Sequence, residues 1–328
     1  MPHVPDGMTL ARVARVDRTA YDVLTDDGPA RVPGLAPVGD PLLAPTVGDW
    51  LALQDGHPVG LLPRTSLLTR GAASGRSQAQ PLAANVDVVL ICAGLWGPPP
   101  VRRVERLLTL AWESGATPVV VLTKADLCAD VEAACELMRL HAPGADVVAV
   151  AAAHGDVAAL APYTTPGTTL VLLGASGAGK STVVNALAGA EVMSTGDVRR
   201  VDGKGRHTTT HRELWVLPSG ATIIDTPGLR GVALTGDAEV GLAKAFADVE
   251  ELAAACRFAD CGHLGEPGCA VLASVQMGDL GQDRVDSWRH LQREMAFQAR
   301  RNDARLRAAE RAKWKAVSKA MRVRGYRP

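Results

Sequence analysis

The stretch Gly174-Ala-Ser-Gly-Ala-Gly-Lys-Ser-Thr182 follows the apolar run Thr169-Leu-Val-Leu-Leu173 and leads into the helical pattern Ser181-Thr-Val-Val-Asn-Ala-Leu187. A glycine loop between a buried strand and a helix is the setting in which successive backbone N–H groups wrap phosphate oxygens. The amides of Gly174, Ala175, Ser176, Gly177, Ala178, Gly179 and Thr182 are predicted to line an α- and β-phosphate site. Lys180 is placed to reach the β- and γ-oxygens and Ser181 to offer its hydroxyl to Mg²⁺.

Buried-strand runs alternate with amphipathic helices around this loop. DVVLICAG (87–94), the helical stretch 101–115, TPVVVLTKADL (117–127), a helix at 131–141, DVVAVAA (146–152) and TTLVLLG (168–174) succeed one another, and RELWVLPSG and ATIIDTPG follow as two more strand candidates. This texture predicts an α/β domain over residues 82–235, built on a parallel sheet covered on both faces. Asp225, at the tip of the strand ATIID, is predicted to hold the Mg²⁺ water shell, and the Gly228 amide to sense the γ-phosphate. Between the two motifs, the glycine-broken loop 199–211 carries Thr208, Thr209 and Thr210; Thr209 is the favoured Mg²⁺ ligand, with its two neighbours as alternatives. A solvated basic loop is the plain reading of the same residues.

Thr123-Lys-Ala-Asp126 has the build of a guanine-reading element, yet it precedes the glycine loop by about fifty residues. Ligand sites of parallel sheets gather the loops at the strands' C-terminal ends, so the position of those tips in space matters and their order along the chain does not. A circular permutation therefore reconciles the two motifs. Asp126 is expected to accept from the guanine N1 and N2 donors and Lys124 to pack its stem along the base, with Ala125 between them. Thr123 stands where GTPases usually have Asn, which alters part of the site's hydrogen bonding. The loop 150–156, with Ala152 or a neighbour, is the expected donor to the guanine oxygen.

Residues 1–70 show short apolar alternations broken by Asp26-Asp-Gly28 and Asp55-Gly56, a pattern that predicts an OB-like β-barrel. Such barrels commonly carry RNA; a structural cap without a ligand is the alternative. Residues 71–81 have linker composition. The N-terminus lacks the basic-then-apolar order of a signal peptide and no apolar run is long enough to span a bilayer, so a soluble, cytoplasmic protein with no membrane partner is expected.

Cys92, Cys128 and Cys135 lie in apolar or helical surroundings and read as small core residues. Cys256, Cys261, His263 and Cys269 are clustered within CRFADCGHLGEPGC, and three thiolates with one imidazole make a closed tetrahedral set for structural Zn²⁺. This belongs to a helical domain, residues 236–328, that ends in a basic tail. From residue 289 onward there are thirteen Lys/Arg against three Asp/Glu in a chain whose formal net charge is zero. An acidic body with a basic tail predicts a polyanionic partner, nucleic acid above all; a solvated helix face is the plain alternative. Trp288 and Trp314 are candidate anchors for that helix.

The order of TKAD, GASGAGKST, GRHTTT and DTPG, with LLPRTSLLTR, PLAANVDVVLI and the cysteine cluster, resembles the small-subunit-dependent GTPases of the RsgA or YjeQ family along nearly the whole chain. The resemblance implies a circularly permuted P-loop GTPase with an N-terminal OB barrel and a C-terminal zinc domain. It further implies a GTP hydrolase, acting as a monomer with Mg²⁺ late in maturation of the small ribosomal subunit, bound to that subunit and its rRNA and stimulated by it. Leu229 follows DTPG where other GTPases carry a water-orienting glutamine, and His207 is the nearest candidate for that role; a contact to RNA phosphate or to water is its other reading. A nucleotide-dependent kinase and an assembly module that binds nucleotide without hydrolysis are the competing classes.

Overall fold

The computed structural model describes residues 7–35, 41–70, 80–193, 212–225 and 238–302. His207, Thr208, Thr209, Thr210, Gly228, Leu229 and the tail beyond residue 302 lie outside the described residues.

Five strands open the chain: β1 (Thr9–Val16), β2 (Ala20–Thr25), β3 (Gly28–Pro33), β4 (Trp50–Gln54) and β5 (His57–Leu61). The two Asp-Gly turns close tight hairpins, pairing Thr25 with Gly28 and Gln54 with His57. Asp55 (φ +50°) and Gly56 (φ +76°) both take the left-handed conformation that a two-residue hairpin turn requires. The order β3-β2-β1-β4-β5, with β3 approaching β5, is that of a partly open OB barrel. Alternate residues fill it: Ala11, Val13, Tyr21, Val23, Val32, Leu51 and Leu53. β6 (Leu67–Arg70) and β7 (Gln80–Ala84) then pair with each other as a separate hairpin, so Gln80 and Pro81, linker-like in composition, begin a strand.

β8 (Val88–Gly94), α1 (Val101–Glu113), β9 (Thr117–Thr123), α2 (Val131–His141), β10 (Asp146–Val150), β11 (Thr169–Gly174), α3 (Lys180–Ala188), β12 (Glu213–Val216) and β13 (Thr222–Asp225) follow. Their order in the sheet is β10-β9-β8-β11-β13-β12, parallel except for β12. Strands before the glycine loop thus lie on one side of β11 and strands after it on the other, which is the permuted arrangement. Successive side chains enter opposite layers: Leu90 and Cys92 pack toward Val183 and Val184 of α3, while Val89, Ile91 and Ala93 face α1. Asp130 caps α2 by accepting from the Ala133 N–H at 2.9 Å.

Barrel and sheet are not separate. Arg15 of β1 pairs with Glu213 of β12, making one continuous sheet of eleven strands. An irregularity between Val13 and Arg15 bends β1 so that its first half pairs with β4 and its end reaches β12, covering an otherwise bare edge.

α4 (Glu239–Ala245), α5 (Ala247–Ala254), α6 (Ala270–Met277) and α7 (Gln282–Asn302) pack on the α1 side of the sheet. Gly241 lets α4 approach α1 closely, since a Cβ there would lie 2.2 Å from the Thr109 carbonyl oxygen. Beneath them, fully buried Glu105 of α1 receives His141 at 2.9 Å, Arg284 at 2.8 Å and the Ser287 hydroxyl. Arg284 also grips Asp248 through two bonds of 2.8 and 2.9 Å, and its guanidinium lies 4.2 Å from the Phe246 ring centre. No helix among the described residues is long and apolar enough to cross a membrane.

Candidate nucleotide site and metal centre

The glycine loop leaves β11 at Gly174, whose φ of +148° and contact with the Cys92 carbonyl, 2.5 Å from where a Cβ would sit, exclude any side chain. Gly177 (φ +77°) and Gly179 (φ +81°) are left-handed, and Gly179 caps α3. The helix begins at Lys180 and is held to the sheet by buried Val183 and Val184, with Ser181 and Thr182 in its first turn. Its N-terminal dipole and first-turn amides face the loop, a ready anion site. Lys180 Nζ donates to the carbonyls of Gly174 (3.0 Å) and Ala175 (2.7 Å), which keeps the ammonium inside the loop. Asp225 ends β13, the strand beside β11.

Thr123 ends β9 two strands away, fully buried, and its hydroxyl donates to the Ala178 carbonyl at 2.7 Å. Oγ1 also lies 3.2 Å from where a Cβ on Gly179 would be, a tight approach that, with the left-handed φ, favours glycine there. Lys124 adopts a left-handed conformation (φ +60°), turning the chain into the short 3-10 segment Ala125–Leu127 that carries Asp126. Its ammonium lies 4.3 Å from the ring centre of Trp96, a half-exposed side chain after β8. The companion loop after β10 is pinned by the Ala151–Asp156 bridge; it buries Ala152 and brings His154 Nε2 within 3.5 Å of Asp126 Oδ2. Asp126, Lys124 and Thr123 therefore meet Gly174–Thr182 at one edge of the sheet.

Trp96 and His154 are site neighbours that motif reading passed over. The signal for Trp96 was present as a tryptophan flanked by glycine and prolines between a strand tip and a helix; His154 was named only as part of its loop. Cys92, beneath the loop, has its thiol pushed up to about 12 by burial despite nearby Lys180, which makes it packing and not a nucleophile.

Cys256, Cys261, His263 and Cys269 converge after α5, their donor atoms all within 4.8 Å of one another. Cys256 Sγ lies 3.9 Å from Cys269 Sγ, and His263 Nδ1 is 3.5 Å from Cys256 Sγ and 3.4 Å from Cys269 Sγ. A tetrahedral zinc with bonds of 2.3 Å to sulfur separates its ligands by about 3.8 Å, so this donor set fits Zn²⁺ and is far too wide for a disulfide. His263 takes the left-handed conformation (φ +53°) to aim Nδ1 inward, and its ring packs on Trp288. Trp288 in turn donates to Glu250 at 2.9 Å.

The family described as RsgA GTPase matches residues 61–235. The small ribosomal subunit biogenesis GTPase RsgA of Streptomyces avermitilis is 48% identical over 322 residues, covering 96% of this chain and 87% of the relative. Its Streptomyces coelicolor counterpart is 46% identical over 330 residues, covering 97% and 90%. Among solved structures, YjeQ from Thermotoga maritima superposes with a TM-score of 0.65 at 23% identity, covering 88% of this chain and 99% of that one. YloQ, described as a circularly permuted GTPase, gives 0.64 at 24% identity, covering 91% and 98%. With a matching fold, a permuted strand order and close relatives along its length, the chain belongs to the RsgA GTPase family.

Proposed function

We propose that the chain binds GTP with Mg²⁺, hydrolyses it, and acts in biogenesis of the small ribosomal subunit. The observation that carries this reading is the meeting of the Thr123–Asp126 turn with the Gly174–Thr182 loop through the Thr123–Ala178 hydrogen bond. One element reads a base and the other cradles phosphates, so a single nucleotide spans both. Asp126 selects guanine, the loop amides and Lys180 hold the phosphates, and Ser181 and Asp225 serve the metal, with Thr209 and the Gly228 amide completing the γ-phosphate response. His207 orients the attacking water in place of the missing glutamine. The four-ligand cluster holds structural Zn²⁺, and the basic tail binds rRNA, which puts the protein in the cytoplasm as a monomer on the subunit. The working units are the barrel (1–70), the linker (71–81), the GTPase domain (82–235) and the zinc domain with its tail (236–328).

The test is phosphate release from GTP with and without small ribosomal subunits, with ATP as control. Slow turnover of GTP alone, a strong rise with subunits and no response to ATP is the expected result. Equal use of ATP overturns the guanine assignment; GTP binding without turnover even on subunits leaves an assembly module instead of an enzyme. His207→Ala is expected to abolish the stimulated rate while sparing GTP affinity, and an unchanged stimulated rate removes His207 from the mechanism.

A further inference from the structure

A cavity of about 640 Å³ lies between the barrel and the opposite end of the sheet from the glycine loop. Its floor is the start of β11 and β13, at Thr169 and Thr222, and its walls come from β1, β2 and β4. The volume is in the range of small-ligand sites, and cavities between packed units are where such sites concentrate.

Arg12 dominates its chemistry. The guanidinium is held by Nη2, which donates to the Asn85 carbonyl at 3.1 Å and the Thr169 hydroxyl at 3.0 Å, and it lies 4.7 Å from the Trp50 ring centre. Its buried Nε has no hydrogen-bond partner, and no carboxylate among the described residues forms an ion pair with it. Burial lowers its pKa to about 10, with Asp87 and Asp49 pulling it back up, so it is charged at neutral pH. Asp87 Oδ2 accepts the Thr169 N–H at 2.7 Å, and Asp26 stands at the rim. Leu10, Leu24 and Leu214 complete an apolar lining.

A simple anion is opposed by Asp26 and Asp87, and a hydrocarbon leaves the charges stranded. A flat heterocycle with donors and acceptors on its edge and an apolar face satisfies all of them: carboxylates take its N–H groups, Arg12 takes its carbonyl or ring nitrogen, and the face lies along Trp50 and the leucines. We propose that this cleft binds one unstacked nucleobase, a second nucleotide-recognition site separate from the guanine site. The base comes either from a free nucleotide or from an RNA strand, and the chemistry of recognition is the same.

The test uses the full chain with its guanine site saturated by GDP and ¹⁵N-labelled tryptophan, the Trp50 indole signal being assigned with Trp50→Phe. AMP, CMP and UMP, and the single-stranded tetranucleotides of A and U, are titrated. Saturable movement of the Trp50 signal is expected, weakened at least tenfold by Arg12→Gln and by Leu10→Trp, which fills the cavity. Mononucleotides binding as tightly as tetranucleotides point to a free ligand; tetranucleotides binding at least tenfold more tightly point to RNA. Should Arg12→Gln not fold, Leu10→Trp decides alone. No saturable movement up to millimolar concentrations of any probe, or affinity unchanged by the folded variants, overturns the proposal. GTP turnover is a separate measurement, so failure here leaves the proposed function standing.

Discussion

The Thr123 hydroxyl lies 2.7 Å from the Ala178 carbonyl oxygen and donates to it, fastening the turn that carries Asp126 to the loop that carries Lys180. Both ends of the bond are buried, where a hydrogen bond is strengthened by its surroundings and a lost one leaves an unsatisfied carbonyl. A threonine thus supplies a tie between the two halves of the site at the position where an asparagine is usual.

Thr123→Val removes the hydroxyl and keeps the shape. It is expected to cost about 1–3 kcal/mol for the stranded carbonyl, seen partly as a lower melting temperature and partly as weaker GTP binding in calorimetry. Thr123→Ser keeps the donor and is expected to stay close to the parent. Equal GTP affinity in parent, Ser and Val forms means that the tie does not serve the nucleotide.

Asp126→Asn tests base reading directly. In the proposed site the carboxylate would accept from two guanine N–H groups; an amide could accept from one and would set its own N–H against the other. GTP affinity is expected to fall by about two to three orders of magnitude, because sites built on paired donors and acceptors discriminate steeply. Xanthine nucleotides, which present an oxygen where guanine has its amino group, are expected to gain. A competition titration with GTP, XTP and ATP reads both effects. An unaltered preference for GTP removes Asp126 from the base site.

How much of this was legible in the sequence depends on the range of the interaction. The glycine loop, the Asp126 turn, Asp225 and the Cys256–Cys269 cluster are local in the chain, and their spacing announces the chemistry they are suited to. Strands β8 to β11 were equally plain, because apolar runs bounded by turn residues leave few alternatives. The junction of Arg15 with Glu213 was not, since it joins residues far apart in sequence through backbone groups that carry no residue code. Glu105 and Arg284 stayed hidden for another reason. On amphipathic helices charged residues normally face water, and only the packing of α1, α5 and α7 against one another turns these two inward. Trp96 was visible as a residue, but its place beside Lys124 depends on which strand tips become neighbours.

The buried pair sets a stability prediction with a definite pH direction. Burial alone raises the Glu105 pKa, but hydrogen bonds from His141, Ser287 and Arg284, with the Arg284 charge, hold it below the ordinary carboxyl value of 4.5. A depressed folded pKa means that this contribution is fully present above the unfolded value and is lost as pH falls through the folded one. Thermal melts are expected to be level above about pH 5.5 and to drop below about pH 4.5. Glu105→Ala leaves Arg284 paired with Asp248 alone and removes the acceptor of His141 and Ser287, and is expected to cost roughly 1–3 kcal/mol. It should also flatten the acid limb relative to the parent; an acid limb of unchanged depth assigns it to other carboxylates.

Zinc removal supplies the last prediction. The cluster sits between α5 and α6, and Cys269 itself caps α6 by accepting from the Leu272 N–H at 3.4 Å. Losing a bound ion would release the four donors and the start of a helix together, while the opposite face of the sheet keeps its separate core of Leu90, Leu170 and Leu172. Elemental analysis is expected to give one zinc per chain. A strong chelator, or Cys261→Ser, should lower the melting transition of the helical region and leave GDP affinity within about twofold, because the Gly174–Thr182 loop is built on the far side of β11 from that helix pair. A chain purified without any metal and melting identically with and without chelator shows that four thiol and imidazole donors stand together here for packing alone. Loss of GDP binding in step with zinc shows instead that the metal supports the sheet through α1, the helix that Gly241 allows α4 to approach.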